Sequence, residues 1–390
     1  MLGMEKLLQM LKDVEINNQG VYLRKLKVSK EGVGCFIPAL NADMFMNRVG
    51  IVKQLLEQEI NIAFVVLFDG VAGLAESLKV DVPVVAMSQL KVLSSKPEKI
   101  IMIHSEATWP DAFYQYFLRL GITPFVLWDS SVLEKNKKYY WSNILKIYNA
   151  YMSFDDDLSR ASFLGALKAR LTGQPYDRVY ALEGQYMLDG FRPYKGSIAI
   201  DGGAFDGETG KDFSELGANV YSFELDKNNY LKVAEKGKKY DFHAVNMGLW
   251  SCKKQERYIH AGTGSTVTKA GSDVAYLIDI DTFVKENDIP RIDYIKLDVE
   301  GAELDVLKGA VMSIGKWKPI LAISAYHREE DLWVLHDFIK SVRSDYNFAF
   351  RHYKIDSRDY YLTDSIRKLF VDYDMSLMVP TQWESVLYAK

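Results

Sequence analysis

IDGGAFDGETG (200–210) is an apolar strand end that runs into a glycine-rich turn and then into helix-forming KDFSELG (211–217). In an open α/β sheet the ligand crevice lies outside the carboxyl ends of the strands, and Gly202, Gly203 and Gly207 let the backbone approach a ligand there. Ala204 completes the turn, and Asp201 and Asp206 flank it. Two carboxylates repel a pyrophosphate but suit a cationic amino group, so the turn is expected to hold an adenosyl ligand with an amino-acid moiety rather than a nicotinamide dinucleotide. The plainer alternative is a tight strand-to-helix turn without a ligand.

Working outward, YSFELD (221–226) ends a second strand on Glu224 and Leu225, at the distance beyond the turn where an acid accepts ribose hydroxyls. YIKLDVEGAE (294–303) brings Asp298 to the same sheet edge, with Glu300 and Glu303 following. Glu303 is read equally well as a charge stabilising a helix N-terminus. AISAYH (322–327) ends the next strand in Tyr326 and His327, which places an imidazole beside Asp298. With an unperturbed pKa near 6.5, His327 is the expected general base, and Asp298 the carboxylate that takes or orients a proton. Asp298, Glu300 and His327 could instead hold Mg²⁺, which would acidify a hydroxyl without a protein base. GTGST (262–266) is read as a loop over the acceptor.

Seven strand candidates lie in this half: 197–201, 219–225, 242–248, 294–298, 320–326, 347–353 and 385–389. The other half repeats the theme. Strand-like runs at 34–39, 63–68, 98–104 and 123–128 alternate with helical periods at 42–58 and 111–121, the signature of βαβ units. The segment after its first strand reads PALNADM (38–44), so the dinucleotide glycine fingerprint is absent. At 390 residues the chain exceeds the roughly 250–300 at which single cores stop growing. The expected division is a smaller Rossmann-like α/β domain over 1–134, a helical linker region over 135–195 and the glycine-turn domain over 196–390.

A formal net charge of -4 gives no attraction toward phosphate backbones, so nucleic acid is not expected as a partner. Cys35 and Cys252 lack zinc or disulfide spacing and are read as free thiols. Glu5, Lys6 and Lys12 interrupt the N-terminal apolar run before membrane-spanning length, so a cytoplasmic chain without a membrane span is expected. The sequence leaves oligomeric state open, a homo-oligomer included.

Taken together, IDGGAFDGETG, FELD, IDIDTF (278–283), IKLDVEGAE, LKGA (307–310) and AYHREEDLW (325–333) resemble, in order and spacing, the landmarks of the FkbM family of methyltransferases. The likeness covers about residues 180–390, and EGQY (183–186) is similar to a segment that leads into that domain. The resemblance implies a seven-stranded methyltransferase fold, S-adenosylmethionine as donor, and O-methylation of a small-molecule or glycan acceptor. By position it implies that Asp201, Gly203 and Asp206 contact the cofactor, Glu224 the ribose and Asp298 the departing methyl, with Trp250 near the adenine. The rivals are a nicotinamide-dependent oxidoreductase and a catalytically degenerate scaffold.

Overall fold

The computed structural model describes residues 2–16, 19–39, 42–79, 81–93, 96–103, 110–128, 130–174, 179–259, 266–267, 271, 273–356, 368, 373 and 378–390. The chain forms two compact units, each built from separate stretches of sequence. The first comprises Met1–Ser142, Leu164–Arg178 and Lys354–Gln382, and the second Asn143–Phe163, Val179–Tyr353 and Trp383–Lys390.

In the first unit, α1 (Leu2–Ile16) and α2 (Gln19–Ser29) precede β1 (Val33–Phe36), α3 (Ala42–Glu57), β2 (Ile62–Leu67), β3 (Val84–Ala86), β4 (Lys99–Ile103), α4 (Pro110–Arg119), β5 (Thr123–Leu127) and α5 (Ser130–Ser142). The sheet runs β3-β2-β1-β4-β5, all parallel. Every residue of β1 is buried, as continuous apolar strands covered on both faces must be. The two later stretches complete this unit. Gln174 answers both backbone groups of Val126 on the edge strand β5, accepting from its N–H at 2.9 Å and donating to its carbonyl at 2.7 Å. Buried Tyr373 hydrogen-bonds Asp69 and packs its ring against Phe68 and Tyr116.

The second unit opens with α6 (Ile144–Met152) and the first turns of α7 (Asp157–Thr172). Its main sheet is assembled from β6 (Ile198–Gly202), β7 (Asn219–Phe223), β8 (His243–Val245), β13 (Tyr294–Leu297), β14 (Ile320–Ser324), β15 (Phe348–Asp356) and β16 (Met378–Ala389). Their order is β15-β16-β14-β13-β6-β7-β8, with β16 antiparallel to β14. A smaller sheet, in the order β11-β10-β12-β9, joins β9 (Gly248–Leu249), β10 (Lys254–Ile259), β11 (Thr266–Val267) and β12 (Asp273–Ile278). Helices α8 (Glu208–Glu215), α9 (Lys227–Tyr240), α10 (Ile280–Glu286), α11 (Glu303–Lys308), α12 (Val311–Trp317) and α13 (Asp331–Val342) complete the unit.

The seven strands of the main sheet are the seven expected from the sequence, and the fold is the α/β class expected. The smaller sheet was not anticipated. The domain division also differs from three contiguous segments, because residues 143–163 are not a linker but part of the second unit's core. Phe154, Phe163 and Phe350 pack with ring centroids 5.3 to 6.0 Å apart, and the Arg351 guanidinium reaches Asp156 at 3.1 Å and Ser159 Oγ at 2.6 Å. Among the described residues no helix is long and apolar enough to cross a membrane.

Candidate active site

Strands β6, β7 and β13 are adjacent and parallel, so their carboxyl ends bring Asp201, Glu224 and Asp298 to one edge. The glycine turn is fixed there by its backbone. The N–H groups of Gly203 and Ala204 both donate to the Phe223 carbonyl, at 3.0 and 2.9 Å. Gly203 adopts φ +77°, and a Cβ at this position would lie 1.8 Å from the Asp298 carbonyl oxygen. Only glycine meets both conditions, which ties the turn to the end of β13. Gly207, at φ +86°, caps α8, while Asp206 lies 3.4 Å from Lys236 and accepts from the Glu208 N–H.

Asp201 is placed differently from the expectation. It is fully buried, 3.1 Å from the Nζ of Lys296, and it accepts from Ser222 Oγ at 2.9 Å. Lys296, itself 2% exposed, also donates to the carbonyls of Gly202 and Gly203, at 3.2 and 2.8 Å. Asp201 is therefore paired with Lys296 inside the sheet. The repulsion argument against a pyrophosphate keeps only Asp206. The sequence carried a signal for this pair, since a lysine inside the apolar run YIKL of a central strand is buried only with a counter-charge.

Glu224 spans the gap between turn and strand end. Its Oε2 accepts from the Phe205 N–H and its Oε1 from the Asp226 N–H, both at 2.8 Å. Burial pushes its carboxyl up to about 7, against the pull of those two amides. Leu225 and Trp250 lie with Tyr258, Ala275 and Leu277 in a small apolar cluster of the second sheet.

At the end of β13, Asp298 Oδ2 accepts from Tyr186 and Oδ1 from Tyr326, each at 2.9 Å, and Tyr186 also meets Ser324 Oγ at 3.0 Å. Burial alone would raise the Asp298 pKa, but the charges of Lys296 and His327 and the hydroxyl donors hold it below the usual carboxylate range. Tyr186 belongs to the EGQY segment, and its part in this network was not foreseen. His327 does lie beside Asp298, with Nε2 3.7 Å from Oδ1, but carboxylates surround it: Glu300 at 3.4 Å and Glu303 at 2.9 Å. Burial works against its charge, yet these acids push its pKa up to about 11. With no ion bound this favours the charged imidazole, which is not the form a general base needs and runs against the role expected of His327.

Glu303 is buried and reaches back to accept from the Val299 N–H at 2.9 Å. The cluster whose donor atoms converge is Asp298, Glu303 and His327, so Glu303 takes the place expected of Glu300. A donor set containing an imidazole does not fit Mg²⁺, which prefers oxygen ligands and retained water. Of the expected acceptor loop, residues 262–265 lie outside the described residues, and Thr266 opens β11.

Residues 203–350 match the family model of the methyltransferase FkbM domain, so this stretch is an FkbM methyltransferase domain. No curated protein matches the chain. The crystal structure of methyltransferase FkbM from Methylobacillus flagellatus KT superimposes with a TM-score of 0.62, at 19% identity, covering 99% of this chain and 98% of that one. That likeness is one of fold, and it extends over both units. Precorrin-6y C5,15-methyltransferase from Geobacter metallireducens GS-15 covers 54% of this chain and 92% of its own, at 10% identity and a TM-score of 0.32.

Proposed function

We propose that the chain is an S-adenosylmethionine-dependent O-methyltransferase acting on a hydroxyl of a sugar, glycan or natural product. The observation that carries this reading is the joint placement, at one sheet edge, of the Gly202–Gly207 turn, Glu224 and Asp298 within the FkbM domain.

The residues present fit such a donor. Glu224 is an acid with both oxygens oriented by backbone amides, and lone pairs remain on each oxygen for two ribose hydroxyls. The turn would receive the amino-acid part, with Asp206 as its nearest partly exposed carboxylate. When bound, the donor supplies a methyl group on a positively charged sulfur. The chain's own work is alignment and proton removal: Asp298, held between Tyr186 and Tyr326, would orient the acceptor hydroxyl and take up its proton as the oxygen gains the methyl group and the sulfonium becomes a neutral thioether. Orientation of two reactants accounts for about 7–11 kcal/mol in favourable cases, enough to make a strong protein base unnecessary for the larger part of the rate.

The test is calorimetric titration of S-adenosylhomocysteine into wild type and Glu224→Gln, with melting curves of both. Binding by the wild type, weakened at least about tenfold in a folded variant (about 1.4 kcal/mol), supports the reading. A wild type that takes up no S-adenosylhomocysteine overturns it.

A further inference from the structure

We propose that Asp298, Glu303 and His327 bind a divalent transition-metal ion, of the manganese, iron or zinc class.

Asp298 and Glu303 come from the one turn that joins β13 to α11, and His327 from the loop after β14. Each offers a donor atom, and these atoms lie within 4.8 Å of one another. Ligands about 2.0–2.2 Å from a shared ion sit at most roughly 4.4 Å apart, a span close to the upper bound that these atoms meet.

Two further features point to an ion rather than to self-sufficient pairing. His327 Nδ1 stands 2.9 Å from Glu303 Oε1 but without the alignment of a hydrogen bond, so the two groups crowd together without satisfying each other. Glu303 is 1% exposed, and its second oxygen, Oε2, has no hydrogen-bond partner among the described residues. A buried carboxylate oxygen left in this state is costly unless a cation answers it.

The supports of a metal site are also present. Asp298 is oriented by the hydroxyls of Tyr186 and Tyr326, and Glu303 by the Val299 N–H, the kind of outer partner that fixes ligand geometry. One imidazole with two carboxylates suits the harder transition metals and zinc, and disfavours magnesium. Ion binding stands apart from the cofactor reading. Only its consequence rests on that reading: an acceptor hydroxyl beside Asp298 would ionise more readily next to the ion.

The full chain, stripped with chelator, is titrated with Mn²⁺ while the spectrum of free Mn²⁺ is followed by electron paramagnetic resonance, and with Zn²⁺ by calorimetry. Expected are one ion per wild-type chain, at least tenfold weaker binding in Glu303→Gln and in His327→Gln, and no displacement by tenfold excess Mg²⁺. His327 is partly exposed, so its variant keeps the test open if the buried Glu303→Gln does not fold. A wild type that binds no ion, or variants that bind as it does, overturns the site and leaves the proton on His327 to balance the carboxylates. S-adenosylhomocysteine titrated into the same samples separates the two ideas. Metal uptake without it supports the site while sinking the methyl-transfer reading, and its uptake without metal does the reverse.

Discussion

Glu224 is held in the folded chain with its proton affinity raised to about 7, against an ordinary value of 4.5. A carboxyl with a raised folded pKa favours the folded state at low pH, where both states carry the proton. That advantage is lost as pH climbs from 4.5 to about 7, because the unfolded chain releases the proton first. At about 1.4 kcal/mol per unit, the loss is on the order of 3 kcal/mol. Urea unfolding of wild type and Glu224→Gln at pH 5, 6 and 7 should show the wild type losing stability across that window relative to the variant. Parallel pH profiles would show that the carboxyl is ionised throughout. Affinity for S-adenosylhomocysteine should run the other way, rising with pH toward 7, since ribose hydroxyls donate to the ionised form. The place of Glu224 at the sheet edge was legible in the sequence because it follows directly from the end of an apolar strand. The pairing of Asp201 was not legible because its partner, Lys296, is 95 residues away and meets it only through the pairing of β13 with β6. His327 was found in the right place, beside Asp298; the acids of DVEGAE (298–303) were visible in the sequence, but their distances to the ring, set where the loop after β14 meets the start of α11, were not.

At the scale of elements, the strand, turn and helix beginning at β7 depend on one side chain. Asp226 closes the N-terminus of α9 by accepting from the N–H groups of Asn228 and Asn229, at 2.9 and 3.0 Å, and it is almost wholly buried. Replacing such a cap by alanine costs about 0.5–2 kcal/mol, and burial places this one toward the upper end. Asp226→Ala is therefore expected to lower stability by about 2 kcal/mol, and Asp226→Asn, which keeps the accepting oxygen, by much less; equal losses would assign the effect to charge instead of the cap. The main sheet was readable because its central strands are largely apolar runs such as YIKL and ILAIS. The smaller sheet escaped notice because β9 and β11 are two residues each, while β10, KQERYI, buries only Tyr258. Pairing partners stabilise such strands, and their own sequence does little. The LKGA motif has its physical reason in the same region: a Cβ on Gly309 would stand 2.4 Å from the Trp250 carbonyl oxygen.

For the molecule as a whole, the unit that begins at the N-terminus is not encoded by the N-terminal third alone. The edge strand β5 relies on Gln174 for both the N–H and the carbonyl of Val126, and the Trp128 indole donates to the Gly173 carbonyl at 2.6 Å. Asp69 and the rings of Phe68 and Tyr116 rely on Tyr373, contributed from more than two hundred residues further on. A fragment of residues 1–142 would contain every strand of the five-stranded sheet and none of these partners. Each buried backbone group left unmatched costs about 1–3 kcal/mol, and losing a buried aromatic ring costs about 3–5 kcal/mol, which together approach the 5–15 kcal/mol by which a domain is stable. The fragment is expected to show a broad, weakly cooperative melt and poor amide dispersion, whereas the full chain melts cooperatively. Adding residues 164–178 and 354–382 as peptides in trans should sharpen the transition. A fragment that alone melted as sharply as the full chain would show that these later segments merely decorate a sheet already stable without them.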